Sequence, residues 1–317
     1  MRLPIISGCI ILIILGCAYF NIYWMAQREY EQALDKAGVY DFWDPFSQPK
    51  LAGESAKLVD SCIKRCGKIL LLYPKSKWVD DALLLMGNCF VLKRDYTKAM
   101  KKYEELLTLY ADSPLSDEAR FMKAYTLVLE DLSEQALGEI DKILESTEND
   151  RLEEKALYLK ARIHIERNNW REAISNCRTY LDRFPKGQRS AEMKLSLGRC
   201  LLKIGEPGEA IDLLEELARQ TSGSGFDAAL VLGRALKMAG EKDQAMGVLE
   251  QLKLEATEDT LKVRALMEIA SLRLASDDVD SALAVLAEAD SLLPKEQSQL
   301  KSEVLFEMGR IYEKQVG

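Results

Sequence analysis

The sequence has a single histidine, His164, the natural first place to look for proton transfer or metal ligation. With no second histidine to share a metal, it takes the slot held by Phe90 two repeats earlier, so a core or groove-wall role is expected. The acidic pairs Glu104-Glu105, Glu153-Glu154 and Glu215-Glu216 fall on exposed helical faces. Solvated charge is the ordinary state there, and none is read as a general acid and base. Cys62 and Cys66, four apart on one helical face, would make half of a thiolate metal site, but no second pair completes it. Gly223-Ser224-Gly225 reads as a turn between helices, and the sequence has no phosphate loop, Gly-x-Ser-x-Gly turn or dinucleotide fingerprint. No catalytic residue, metal or cofactor is therefore assigned, and no small-molecule substrate is expected.

Arginine supplies the other chemistry. Arg162, Arg199 and Arg234 each directly follow a small residue, and Asn88, Tyr125 and Ser271 hold the same place elsewhere. The residue three before each small one is apolar: Leu84, Phe121, Tyr158, Leu195, Leu230 and Met267. Guanidinium forks beside an apolar strip suit an extended acidic segment or a free carboxylate, held by bidentate hydrogen bonds. The candidate partner-binding residues are therefore Arg162, Arg199, Arg234, Leu84, Phe121, Tyr125, Tyr158, Leu195 and Leu230. The alternative is that each arginine pairs with a carboxylate of a neighbouring repeat, such as Glu166 or Glu192.

What would position these residues is a repeat. Six times a small residue is followed twelve positions later by Ala: Gly87/Ala99, Ala124/Ala136, Ala161/Ala173, Gly198/Ala210, Gly233/Ala245 and Ala270/Ala282. The pairs recur every 35 to 37 residues, and Gly309 begins a seventh unit. Small residues at this spacing let two antiparallel helices approach closely at a crossing. Apolar residues flank each one at three- and four-residue steps, as Leu83, Met86 and Phe90 flank Gly87. Turns such as Tyr73-Pro74-Lys75-Ser76, Phe184-Pro185-Lys186-Gly187 and Leu293-Pro294 punctuate the units. In the seventh unit, the helix around Gly309 carries Leu305, Met308 and Tyr312 on a stripe with no following helix to cover it, so self-association or fraying is expected there.

Met86-Gly87-x2-Phe90 with Ala99-x3-Tyr103, and Leu197-Gly198-x2-Leu201 with Ala210-x3-Leu214, resemble the signature of the tetratricopeptide repeat (TPR) family. The resemblance covers residues 57 to 317 and implies an all-α fold: a right-handed TPR-type α-solenoid of antiparallel helix pairs, with about six full repeats and partial terminal ones. Such a fold binds protein or peptide partners on its concave face.

Residues 1–17 differ in kind. Met1-Arg2 is followed by an almost wholly apolar run from Leu3 to Leu15, then Gly16-Cys17. This reads as an export signal, and Ile14-Leu15-Gly16-Cys17 looks like a bacterial lipobox with Cys17 as the lipidated residue. An uncleaved signal anchor is the alternative, because apolar and aromatic character continues through Ala18-Tyr19-Phe20 to Trp24-Met25. Residues 18–56 form an N-terminal helix and an aromatic loop, Gly38 to Pro49, expected to cap the stack, with a docking loop for membrane or partner as the alternative. Cys17-Ala18-Tyr19-Phe20-Asn21 and Tyr73 to Ala82 resemble the tetratricopeptide lipoproteins of bacterial outer-membrane assembly (BamD-like). That resemblance covers roughly the first 110 residues and implies a place on the periplasmic side of the outer membrane.

Thirty per cent charged residues and a net charge of −8 argue against nucleic-acid binding. Seven cysteines in 317 residues are no disulfide framework. Cys62, Cys66, Cys89, Cys177 and Cys200 are expected as small hydrophobes in helix packing. The leading expectation is a non-enzymatic, lipid-anchored envelope scaffold for polypeptide partners in outer-membrane protein assembly. A signal-anchored inner-membrane scaffold for secretion or cell-wall machinery is the alternative, and an enzyme with an unrecognised site is the third.

Overall fold

The computed structural model describes residues 5–38, 51–220, 223–293 and 298–316, with side chains given from residue 21 onward and through residue 313. All fifteen elements among these residues are α-helices. The aromatic loop expected as a cap falls at 39–50, outside the described residues, as does the side chain of Cys17.

The chain divides into two compact units, residues 1–163 and 164–317. Unit 1 holds α1 (Ile5–Lys36), α2 (Gly53–Leu72), α3 (Val79–Leu92), α4 (Tyr96–Leu109), α5 (Ser116–Leu129), α6 (Ser133–Ser146) and most of α7 (Asp150–Glu166). Unit 2 holds the end of α7 and then α8 (Trp170–Arg183), α9 (Ser190–Ile204), α10 (Pro207–Ala218), α11 (Ser224–Ala239), α12 (Lys242–Glu255), α13 (Asp259–Leu274), α14 (Val279–Leu292) and α15 (Ser298–Val316). Consecutive helices pack on one another, as from α1 through α6 and from α8 through α15, and odd-numbered helices also meet, as α3 touches α5 and α9 touches α11. This is the layering of stacked helix pairs, in which each repeat buries its apolar stripe against its neighbours.

The small residues work differently from a simple backbone crossing. A β-carbon on Gly198 would lie 2.7 Å from Leu214 Cδ1, and one on Gly233 would lie 2.7 Å from Leu249 Cδ2. Gly87 likewise faces the Tyr103 ring. The gap on the first helix thus receives the large side chain four residues after the paired Ala, and Tyr103, Leu214 and Leu249 are fully buried there. Tyr103 also donates its hydroxyl to Asn88 Oδ1 at 2.8 Å. On α15, Gly309 faces open space, and Leu305, Phe306 and Tyr312 stay half or more exposed. Val304, Ile311 and Met308 pack inward against α13 and α14.

The turn after each first helix holds a second register. Arg94, Asp131, Asn168, Gly205, Gly240 and Asp277 all have positive φ, between 58° and 86°, and recur every 35 to 37 residues. A left-handed residue ends a helix sharply by redirecting its last carbonyls. Gly reaches this conformation freely and Asp and Asn with little strain, whereas arginine does so at a cost.

Candidate partner-binding face

In unit 2 the first helices of successive repeats are α9, α11 and α13. Arg199 and Lys203 lie one turn apart on α9, and Arg234 and Lys237 lie one turn apart on α11. With Leu202, Val231, Met238 and Glu268 they line a recess of about 370 Å³. Four cations meet one carboxylate there, inside a chain whose overall charge is negative.

Glu268 of α13 organises the cations. Its Oε1 accepts from Arg234 Nε at 2.6 Å and its Oε2 from Lys237 Nζ. Lys237 also donates to Ser271 Oγ at 3.2 Å. Burial alone would raise the Glu268 carboxyl, but the hydrogen bonds and charges of Lys237 and Arg234 outweigh it and hold the group below its usual range. Arg199 reaches Asp227 Oδ1 only at 3.7 Å, between two well-exposed side chains, a contact that contributes little. Lys203 is exposed at the mouth. The recess therefore gathers two cations of α9 beside a braced pair on α11, an arrangement that can receive a carboxylate on preset donors.

The two arginines of the recess differ in their surroundings. Arg234 pairs with a carboxylate one repeat on, while Arg199 keeps its guanidinium largely in solvent. Glu192, considered as a partner from the sequence, takes a 2.9 Å bridge from Arg189. Arg162 lies in unit 1, half-buried on α7, where it donates to the Tyr158 hydroxyl at 3.0 Å and stacks over that ring. The recess thus unites Arg199 with Arg234 and does not include Arg162.

The apolar strip is corrected by the structure. Phe121, Tyr125 and Tyr158 are wholly buried, and Leu195 and Leu230 are at most 6% exposed. These side chains fill the seams between adjacent helices, leaving no free face for a ligand; Leu84 and Met267 are half-buried. The residue three before the small one points between repeats because a step of about 100° per residue carries it toward the next helix. Lys203 and Lys237 were missed, although their spacing of four and three from the arginines already placed them on the same face.

The five described cysteines are buried and in no disulfide, as expected. Cys89 comes within 3.3 Å of Cys62, sulfur to sulfur, a proximity that two separate helices create. Burial pushes the Cys89 thiol well up and the Cys200 thiol up to about 11. Among the described residues no cluster of histidine, cysteine or carboxylate could hold a metal ion, and His164 is half-buried near the end of α7. Among the described residues no helix is long and apolar enough to cross a membrane; the apolar run of residues 1–17 lies outside those whose side chains are described.

The profile of the family described as "T7SS, ESX-1 secretion system protein EccA1, N-terminal domain" matches residues 97–298. The chain belongs to this family. The EccA1 N-terminal-domain match begins at residue 97, so it leaves out most of the segment that resembles outer-membrane assembly lipoproteins. No curated protein matches the sequence significantly. Among solved structures, PilW, a type IV pilus biogenesis factor, is similar at 16% identity and TM-score 0.50, over 73% of this chain and 100% of its own. Pseudomonas aeruginosa pilF is similar at 19% identity and TM-score 0.49, over 72% of this chain and 97% of its own. A tetratricopeptide repeat protein of Parabacteroides merdae is similar at 17% identity and TM-score 0.48, over 88% and 99%. This member of the EccA1 N-terminal-domain family is a TPR protein, and these likenesses concern its fold alone.

Proposed function

We propose that the chain is a non-enzymatic TPR scaffold serving a protein-secretion machinery at the cell envelope, and that unit 2 captures an acidic polypeptide segment or a free C-terminal carboxylate. The observation that carries this reading is the recess in which Arg199, Lys203, Arg234 and Lys237 converge around Glu268. Membership in the EccA1 N-terminal-domain family favours secretion over outer-membrane protein assembly. Fork-shaped and point cations together suit a carboxylate-bearing chain, and the flanking Leu202, Val231 and Met238 suit its apolar side chains.

The N-terminus completes the reading as a membrane tether. Labelled palmitate incorporated into the chain and lost in Cys17→Ala supports the lipoprotein form. A chain that stays membrane-bound and unlabelled supports the signal anchor.

The binding test is titration of the protein with a fluorescent acidic peptide bearing a free carboxylate. Arg199→Glu with Lys203→Glu should weaken binding at least about tenfold, since each charge-assisted contact contributes roughly 1.5–3 kcal/mol. Unchanged affinity in a variant with an intact helical spectrum overturns the proposal.

A further inference from the structure

A second surface lies in unit 1, away from the site just described. The first described turns of α1 run antiparallel to the last turn of α2: Lys36 bridges Glu54 at one end, and Arg65 pairs with Glu29 midway. Tyr23 of α1 therefore reaches the α2–α3 turn, where its ring stacks on Trp78 at 5.0 Å. Around that stack large apolar side chains face solvent. Trp24 is 49% exposed, Met25 36%, Leu71 79% and Leu72 60%. Basic groups are interleaved with them: Arg28 sits over the Trp24 ring at 5.5 Å and Lys77 over the Trp78 ring at 5.0 Å, with Lys75 exposed beside it.

The carboxylates nearby are mostly engaged. Asp80 accepts from Ser113 at 2.6 Å, and Asp81 is half-buried and hydrogen-bonded to the Tyr23 hydroxyl. Asp112, on the next turn, is exposed. Tryptophan and tyrosine beside arginine and lysine form the composition that settles at a membrane–water interface.

Continuity names the occupant. Helix α1 runs unbroken from Ile5 to Lys36, and its sequence is apolar through Phe20. Trp24 follows Phe20 by four residues, roughly 6 Å along the axis, about the depth of a headgroup layer. We infer that this edge of unit 1 rests on an anionic phospholipid bilayer, with Trp24, Met25, Leu71 and Leu72 in the headgroup layer and Arg28, Lys75 and Lys77 on lipid phosphates. The inference rests on the reading of residues 1–17 as a membrane tether. It adds that the first repeat is fixed against the surface instead of swinging from a leash.

The test uses the full chain with Trp24→Phe, Trp43→Phe and Trp170→Phe, leaving Trp78 as the only indole, reconstituted into phosphatidylcholine vesicles with about one third phosphatidylglycerol. Trp78 belongs to a different element from the tether, so its depth reports docking and not mere attachment. Its emission should shift to the blue and be quenched roughly twofold by lipids brominated near the headgroup. Adding Arg28→Glu, Lys75→Glu and Lys77→Glu should reverse both changes while the chain still sediments with the vesicles, at about fivefold in the contact equilibrium per basic residue. A chain that sediments with Trp78 still water-exposed overturns the docking and leaves the tether standing. A chain that stays in the supernatant overturns both. Shielding of Trp78 in native membranes but not in vesicles assigns the edge to a protein partner and overturns the lipid surface.

Discussion

Leu214 of α10 projects onto Gly198 of α9 so closely that a single added methyl would sit 2.7 Å from its Cδ1. The same relationship joins Leu249 to Gly233. Gly198→Ala should therefore force a shift of buried packing and destabilise unit 2 by about 1–3 kcal/mol, read as a lower denaturation midpoint. Leu214→Ala placed on top should recover part of that loss, and additive losses would show that the two residues do not share the contact.

Gly309 holds the same repeat position on α15 and should behave oppositely. Nothing lies within 4 Å of a β-carbon there. Gly309→Ala should stabilise the helix by up to about 1 kcal/mol through propensity alone. Slower amide exchange across α15 in the variant would register it, and a loss comparable to that at Gly198 would show the slot to be filled.

Among the described residues, Arg94 is the one left-handed turn residue that is neither Gly, Asp nor Asn, with φ of 59°. Its side chain is exposed. Arg94→Gly should raise stability by roughly 1 kcal/mol, the strain relieved being slightly larger than the added chain entropy. A thermal melt showing no gain would place the strain elsewhere.

Glu268 predicts a pH signature. Its folded carboxyl titrates below the usual value, so its stabilising contribution is present above about pH 4.5 and is lost as pH falls through the lower folded value. Glu268→Gln should be less stable than the native protein by about 1–3 kcal/mol near neutrality. The gap should close in acid, and a gap constant from pH 7 to pH 3 would contradict the pairing with Arg234 and Lys237.

The buried thiols predict slow chemistry. With Cys200 pushed up to about 11 and Cys62, Cys66, Cys89 and Cys177 fully buried, alkylation at pH 8 should be slow in the native state and fast in denaturant. Mass spectrometry of peptides after brief exposure to iodoacetamide measures this directly. Rapid native labelling of Cys200 would mean that unit 2 opens locally.

The sequence alone determined the helix pairs. A small residue, an Ala twelve later and apolar flanks are local patterns that repeat, and repetition separates them from chance. It also placed the cysteines inside, because their register matched packing slots. What it could not supply was the direction of side chains between repeats. Phe121 and Tyr158 looked like a ligand strip because their spacing is right for one face, yet the stacking of adjacent helices turns that position into a seam. Likewise Arg234 and Glu268 are 34 residues apart, and only the pitch of one repeat on the next decides that they meet at 2.6 Å while Arg199 lies 3.7 Å from Asp227. The left-handed turns were only partly legible, since Asp131, Asn168, Gly205, Gly240 and Asp277 are types that favour the conformation and Arg94 is not. Local periodicity is written in residue types, whereas contacts between repeats depend on small rotations that no single repeat encodes.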